Sequence, residues 1–189
     1  MSKHWDASCH SHPCSETDRL DVLLNELNES SITLSPADLS LCSRTAARLQ
    51  SESERKRLRN LRVSSQSDLD VHLMGTMGEL AARKYFHLPA SLPVNTFRLP
   101  DLPGNIEVRA HKKQWYLLRV RPSDDDNRRM VMAIVDGSPT VRLAGWIVAS
   151  DAKKSKITLD PNGINRPFHA VPQEELLPMS SLRSLINPS

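Results

Sequence analysis

Pro100-Asp101-Leu102-Pro103-Gly104-Asn105-Ile106-Glu107-Val108-Arg109 is the stretch whose reading decides the fold. Pro103 and Gly104 supply turn chemistry, and from Ile106 apolar and polar residues alternate with the period of a strand. The turn lets the chain double back, so the carboxylate of Asp101 is expected near a strand that presents Glu107 and Arg109 on one face. On an uninterrupted strand His111 and Lys113 share that face and Lys112 does not. Two carboxylates and a cation gathered at a turn and a strand suit divalent-metal chemistry on phosphodiesters. Mg²⁺ or Mn²⁺ takes oxygen ligands, often one or two carboxylates completed by water and phosphate. The ion lowers the pKa of an attacking water, and a neighbouring cation stabilises the charge that develops on phosphate.

Outward from this stretch, the sequence divides into helices before it and strands after it. Leu20, Leu23, Leu24 and Leu27 recur at helical spacing over 15–28. Ser30, Ser31 and Thr33 break that pattern. Ser35-Pro36-Ala37-Asp38 then opens a second helix, with Ser as cap, Pro at the first position and an acid three residues after the cap. Leu39, Cys42, Ala46 and Leu49 make its apolar stripe, and helix is expected to run on to Arg62. A third helix is expected from Ser67 to Phe86, with Leu69, Leu73, Met77, Leu80 and Phe86 facing the core. Gly75 and Gly78 weaken it within one turn, which points to a close backbone approach. Glu79 follows directly. It either pairs with Arg83 four residues on as a surface acid, or points from a core helix toward a metal on the adjacent sheet.

Downstream, Trp115 to Val120, Met130 to Val135 and Thr140 to Val148 read as strands, the second of them fully buried. With the strand at Ile106 they make a central sheet of about four strands. Phe168 to Val171 is expected as an added edge strand, and 172–179 as a short helical turn. The fold class is therefore α+β (or α/β): a helical N-terminal region followed by a mixed sheet. The domain reading is a His/Cys-rich tail at 1–14, a helical region with a basic helix at 15–66, a core at 67–180 and a C-terminal tail at 181–189.

At 189 residues the chain suffices for one domain with a full core. It holds no run of 18 apolar residues, so no transmembrane helix is expected. Its start lacks the apolar stretch of a secretory signal, and its three cysteines are an odd count, which together point to a reducing cytoplasm. Cys9, His10, His12 and Cys14 are ligand types for Zn²⁺, but they are crowded and lack a second pair at a recognisable distance, so they read as tail. A net charge of +3 permits an anionic partner without requiring one. Arg55, Lys56, Arg59 and Arg62 can neutralise phosphates along a nucleic acid, as can Lys112 and Lys113; acid-to-base pairs such as Glu52 with Lys56 make the first group equally a solvated helix face. Lys153, Lys154 and Lys156 form a second basic cluster. Asp124-Asp125-Asp126 lacks the Gly and distant Glu of a calcium loop and reads as a solvated turn.

Pro100-Asp101 and Glu107-Val108-Arg109 together resemble the motif of the PD-(D/E)XK, or restriction-endonuclease-like, nuclease superfamily. Glu79 is similar to the acid that many members carry on the preceding core helix. The stretch from Gly75-Thr76-Met77-Gly78-Glu79 through Val94-Asn95-Thr96-Phe97 and Gly145-Trp146-Ile147 to Val171-Pro172-Gln173 also resembles uncharacterised phage and prophage proteins. The resemblance implies a restriction-endonuclease-like core and a Mg²⁺-dependent DNA nuclease working in a bacterial host cell. It places Asp101, Glu107 and Glu79 at the metal and Arg109 among the catalytic residues. Arg109 stands where the family has Lys, and a guanidinium does not deprotonate, so it can orient water and screen phosphate but cannot act as a base. The alternative reading is a nucleic-acid-binding or host-interaction protein on the same scaffold, without catalysis.

Overall fold

The turn at Pro103 folds the chain back as expected. In the computed structural model, which describes residues 30–55, 67–93, 99–113, 116–154, 157–158 and 167–186, Leu102 and Ile106 exchange backbone hydrogen bonds in antiparallel fashion. Gly104 and Asn105 between them take left-handed φ of 77° and 58°. Gly tolerates that conformation because it has no Cβ, and Asn because its short polar side chain bonds locally. The Zn²⁺-type group Cys9, His10, His12 and Cys14, the helix expected at 15–28, Lys56, Arg59, Arg62, Val94 to Phe97, Trp115 and Lys156 lie outside the described residues.

The strand that leaves this turn, β2 (Ile106–His111), is an edge of a four-stranded mixed sheet. Its neighbour β4 (Arg129–Ile134) runs parallel to it; β5 (Thr140–Val148) pairs antiparallel with β4, and β1 (Ser31–Thr33) closes the other edge. The class is α+β. Three strand expectations are corrected. The sheet's fourth strand is Ser31–Thr33, a segment that looks like a mere interruption of helical spacing because three residues are too short to show alternation. Among the described residues, the segment expected as a central strand at 115–120 is strand at β3 (Leu118–Val120) alone. It joins a second sheet, ordered β3, β7 (Phe168–Val171), β6 (Ile157–Thr158). Phe168–Val171 is thus the middle strand of that small sheet and not an edge.

Helix α1 (Pro36–Arg55) begins with the expected capping box. Asp38 Oδ2 accepts from the backbone N–H and hydroxyl of Ser35, and the Asp38 N–H donates back to Ser35 Oγ. Its Cys42 is fully buried, and burial pushes the thiol up to about 11. Helix α2 (Asp68–Tyr85) is capped by Ser67 and lies across the sheet. Gly78 makes that approach possible. A Cβ there would sit 3.1 Å from the Cβ atoms of Ala110 and Ala133 and 3.5 Å from Val108. Gly75 has nothing within 4 Å of such a Cβ, so the close approach expected of both glycines belongs to Gly78 alone.

The core under α2 gathers Leu80, Tyr85, Phe86, Leu102, Val131, Ala133, Val141, Leu143 and Trp146. On the opposite sheet face the second sheet and the short helix α3 (Ala149–Ala152) cover Met130, Met132 and Ile134. Helix α4 (Met179–Ile186) replaces most of the C-terminal tail expected from 181. Leu182 is fully buried, and the Arg183 guanidinium stacks 4.2 Å over Tyr85. The loop before α4 docks at a bulge in β5. Gly145, with φ of 145°, lies so close to it that a Cβ would meet Leu176 at 2.7 Å and the Leu177 carbonyl at 2.8 Å. Among the described residues, no helix is long and apolar enough to cross a membrane.

Candidate active site

Three elements bring carboxylates to the outer edge of β2. Asp101 comes from the turn. Its Oδ2 accepts the backbone N–H of Val108 at 2.8 Å, so an aspartate continues the hairpin where no further strand among the described residues pairs. Glu107 comes from β2 itself. Glu79 comes from α2, one residue after the glycine that sets the helix against the strand. The pair of Glu79 with Arg83 exists, Arg83 Nε donating to Glu79 Oε1 at 3.1 Å, but its side chains are only 16% and 9% exposed. It is therefore an interior pair and not a surface one. Arg83 also donates from Nη2 to the carbonyl of Asp101 at 2.7 Å, which ties the helix to the turn.

Burial raises all three carboxyls above their ordinary values, and for the two glutamates the charge of Asp101 adds to it. Glu79 is pushed up to about 7, by burial first and by the charge of Asp101 next, against the pull of Arg83. Glu107 is raised by burial and then by Asp101, against Arg109 and Arg128. Asp101 is raised by burial, opposed by the Val108 N–H and then by Arg109, Arg128 and Arg83. Three acids that resist ionising together are a cluster in need of positive charge.

Part of that charge is built in. Arg109 Nη2 lies 3.1 Å from Glu107 Oε1 and 3.4 Å from Asp124 Oδ1, and Arg128 Nη1 lies 3.1 Å from Glu107 Oε2. Both oxygens of Glu107 are thus held by guanidinium groups. Arg128 Nε also reaches Asn105 Oδ1 at 3.3 Å, which fixes it against the turn. The Nε of Arg109 is buried and has no acceptor among the described residues.

Arg128 and Asp124 are site residues that the sequence reading missed. Asp124 is not the solvated turn residue expected from the acidic triplet. Its side chain is 11% exposed, and it bonds the Arg121 N–H as well as approaching Arg109. An arginine immediately before a buried strand beside an acid-rich turn was the available signal, and it is a weak one. In the basic cluster read at Lys153, Lys154 and Lys156, Lys153 pairs with Asp126 and Lys154 with Asp151. Arg55 pairs with Glu52. Lys112 and Lys113 are exposed just beyond β2, which ends at His111, so the single strand face imagined through Lys113 stops two residues short.

By donor type, Glu79, Asp101 and Glu107 fit a hard divalent cation such as Mg²⁺ or Mn²⁺. Among the described residues, no three His, Cys, Asp or Glu side chains are grouped so as to enclose an ion. At Glu107 a metal has to compete with Arg109 and Arg128 for the same oxygens. Comparison with protein-family models, curated proteins and solved structures gives no match to this chain.

Proposed function

We propose that the protein is a divalent-metal-dependent nuclease of the PD-(D/E)XK kind, acting on DNA in the cytoplasm of a bacterial host. The observation that carries this reading is the cluster of Glu79, Asp101 and Glu107, three carboxyls from three elements raised by burial, Glu79 and Glu107 also by the charge of Asp101. A Mg²⁺ or Mn²⁺ held by these three residues would supply Lewis-acid polarisation of phosphate and a more acidic water. Arg109 offers the outer part of its fork to a phosphate oxygen, while Asp124 keeps the guanidinium in place. Arg128 holds Glu107 from the residue just before β4.

A second reading, a nucleic-acid-binding protein without turnover, is favoured by one observation. Arginines already occupy both oxygens of Glu107. Incubation of single- and double-stranded DNA with the full chain in Mg²⁺, in Mn²⁺ and in chelator separates the two. The nuclease reading expects metal-dependent cleavage that falls about a hundredfold or more in Asp101→Asn and in Glu107→Gln. Salt-sensitive binding with no cleavage in either metal establishes the second reading in its place.

A further inference from the structure

Four residues along β2 from Glu107, at the other end of the strand, a different kind of arginine site is built. His111 of β2 stands opposite Ile134 of β4, and Ile134 stands opposite Arg142 of β5. Directly opposed residues share a sheet face, so His111, Ile134 and Arg142 form one row on the face that also carries Glu107 and Arg109. The second sheet covers that face as far as Ile134, which is buried beneath it, and His111 and Arg142 on either side of Ile134 are half-buried. Its strands β3 and β7 are in register at Leu118 and Val171, which puts Tyr116 and Gln173 together at its open end.

The polar contacts at that end have a definite direction. Arg142 Nη2 donates to Gln173 Oε1 at 3.0 Å, and Gln173 Nε2 donates to the Tyr116 carbonyl at 3.2 Å. The His111 ring lies 5.7 Å from that of Tyr116. Gln173 thus orients the guanidinium without neutralising it. Arg142 is half-buried and forms no ion pair with a carboxylate among the described residues, whereas Arg83, Arg109 and Arg128 each do. Burial alone holds its pKa below the usual arginine value, with no acid acting on it. A partly desolvated cation that is aimed but not compensated is a seat for an anion. Exposed Lys112 and Lys113 follow His111 at the rim and add positive potential there.

We propose that Arg142, aimed by Gln173 and bordered by His111 and Lys112, binds a second phosphate of the DNA strand whose scissile phosphate lies at Glu107. This rests on the nuclease reading for the identity of the strand. The spacing suits it: four residues along β2 and two strands across the sheet put Arg142 about 16 Å from Glu107, so one phosphate cannot serve both places. Arg142 is then a positioning residue that fixes the strand's register and does not touch the reacting atoms.

The test is fluorescence anisotropy of the full chain with a short labelled single-stranded DNA, in chelator, over a series of salt concentrations. A parallel calorimetric titration with Mn²⁺ reports on the carboxylate cluster. Arg142→Gln is expected to weaken DNA binding about tenfold and to lower the salt slope by about one phosphate contact, with Mn²⁺ binding unchanged. Arg142→Lys keeps the salt slope and loses only part of the affinity, because it retains charge without the fork. Thermal unfolding of each variant, matched to the parent chain, shows that the loss is local. DNA affinity and slope that are unchanged in a folded Arg142→Gln overturn the proposal, and so does a parent chain that binds no DNA at low salt. Failure of the parent chain to bind Mn²⁺ overturns the metal reading instead and leaves the anion seat standing.

Discussion

The two faces of β2 are made by alternate residues of one short strand, yet they obey different rules. Val108 and Ala110 face α2, where the fit depends on Gly78 having only a hydrogen in place of a Cβ that would sit 3.1 Å from the Cβ of Ala110. Glu107 and Arg109 face the other way, into a cluster where three raised carboxyls are interleaved with guanidinium groups. The first face stabilises the fold through close packing of apolar atoms. The second consumes stability, because buried acids prefer to be protonated and are kept in place by arginines and by a backbone N–H. The lesson is spatial. The same helix that closes one face delivers Glu79, one residue after Gly78, to the edge where the other face begins.

The largest effect is expected from breaking the packed face. Gly78→Val puts a branched side chain where even a Cβ is tight against two Cβ atoms that cannot turn away, and should cost about 3 kcal/mol or abolish folding. Urea unfolding of the variant checks it, and a midpoint equal to that of the parent chain would mean that α2 does not approach the sheet this closely.

The charged face is sharpened by pH. The Glu79 carboxyl is raised from 4.5 to about 7 on folding. The folded chain therefore holds that proton more tightly than the unfolded chain, and this contribution to stability falls as pH rises from about 4.5 to 7, then levels off. The full shift corresponds to at most about 3 kcal/mol. Glu79→Gln, which cannot ionise, should remove that decline and be relatively most stabilised at pH 8. Unfolding midpoints at pH 5 and pH 8 measure it, and parallel pH profiles for the two chains would contradict the assignment. Asp38 should show the smaller, opposite signature. Its hydrogen bond to Lys84 and its capping of Ser35 hold its pKa low, so its stabilisation is present above pH 4 and lost on acidification. Asp38→Asn should cost about 1 kcal/mol at pH 7 and nothing near pH 2, as the same unfolding measurements would show.

What was legible in the sequence follows from how local each signal is. The capping box at Ser35, the buried run at Met130 and the turn at Pro103-Gly104 are set by neighbours within a few residues, and the corresponding elements form as read. The strand Ser31–Thr33 is defined only by its partner more than a hundred residues away in β5, and nothing in three residues announces it. The same holds for the second sheet, where Leu118–Val120 finds Val171 and not the central sheet. At the site, Glu79, Asp101, Glu107 and Arg109 each had a spacing or motif to mark them. Arg128 and Asp124 did not, because an arginine before a strand and an acid in a turn are ordinary until the fold sets both against Glu107 and Arg109. Gly78 and Gly75 looked equivalent, and only the position of the sheet distinguishes them.

The central claim is that the carboxyls at the edge of β2 form a site for a divalent cation, and a calorimetric titration of the full chain with Mn²⁺ at pH 8 tests it most directly. The account predicts saturable binding that is lost in Glu107→Gln and strongly weakened in Asp101→Asn, with both variants folded. No binding by the parent chain, or binding that survives Glu107→Gln unchanged, would contradict it.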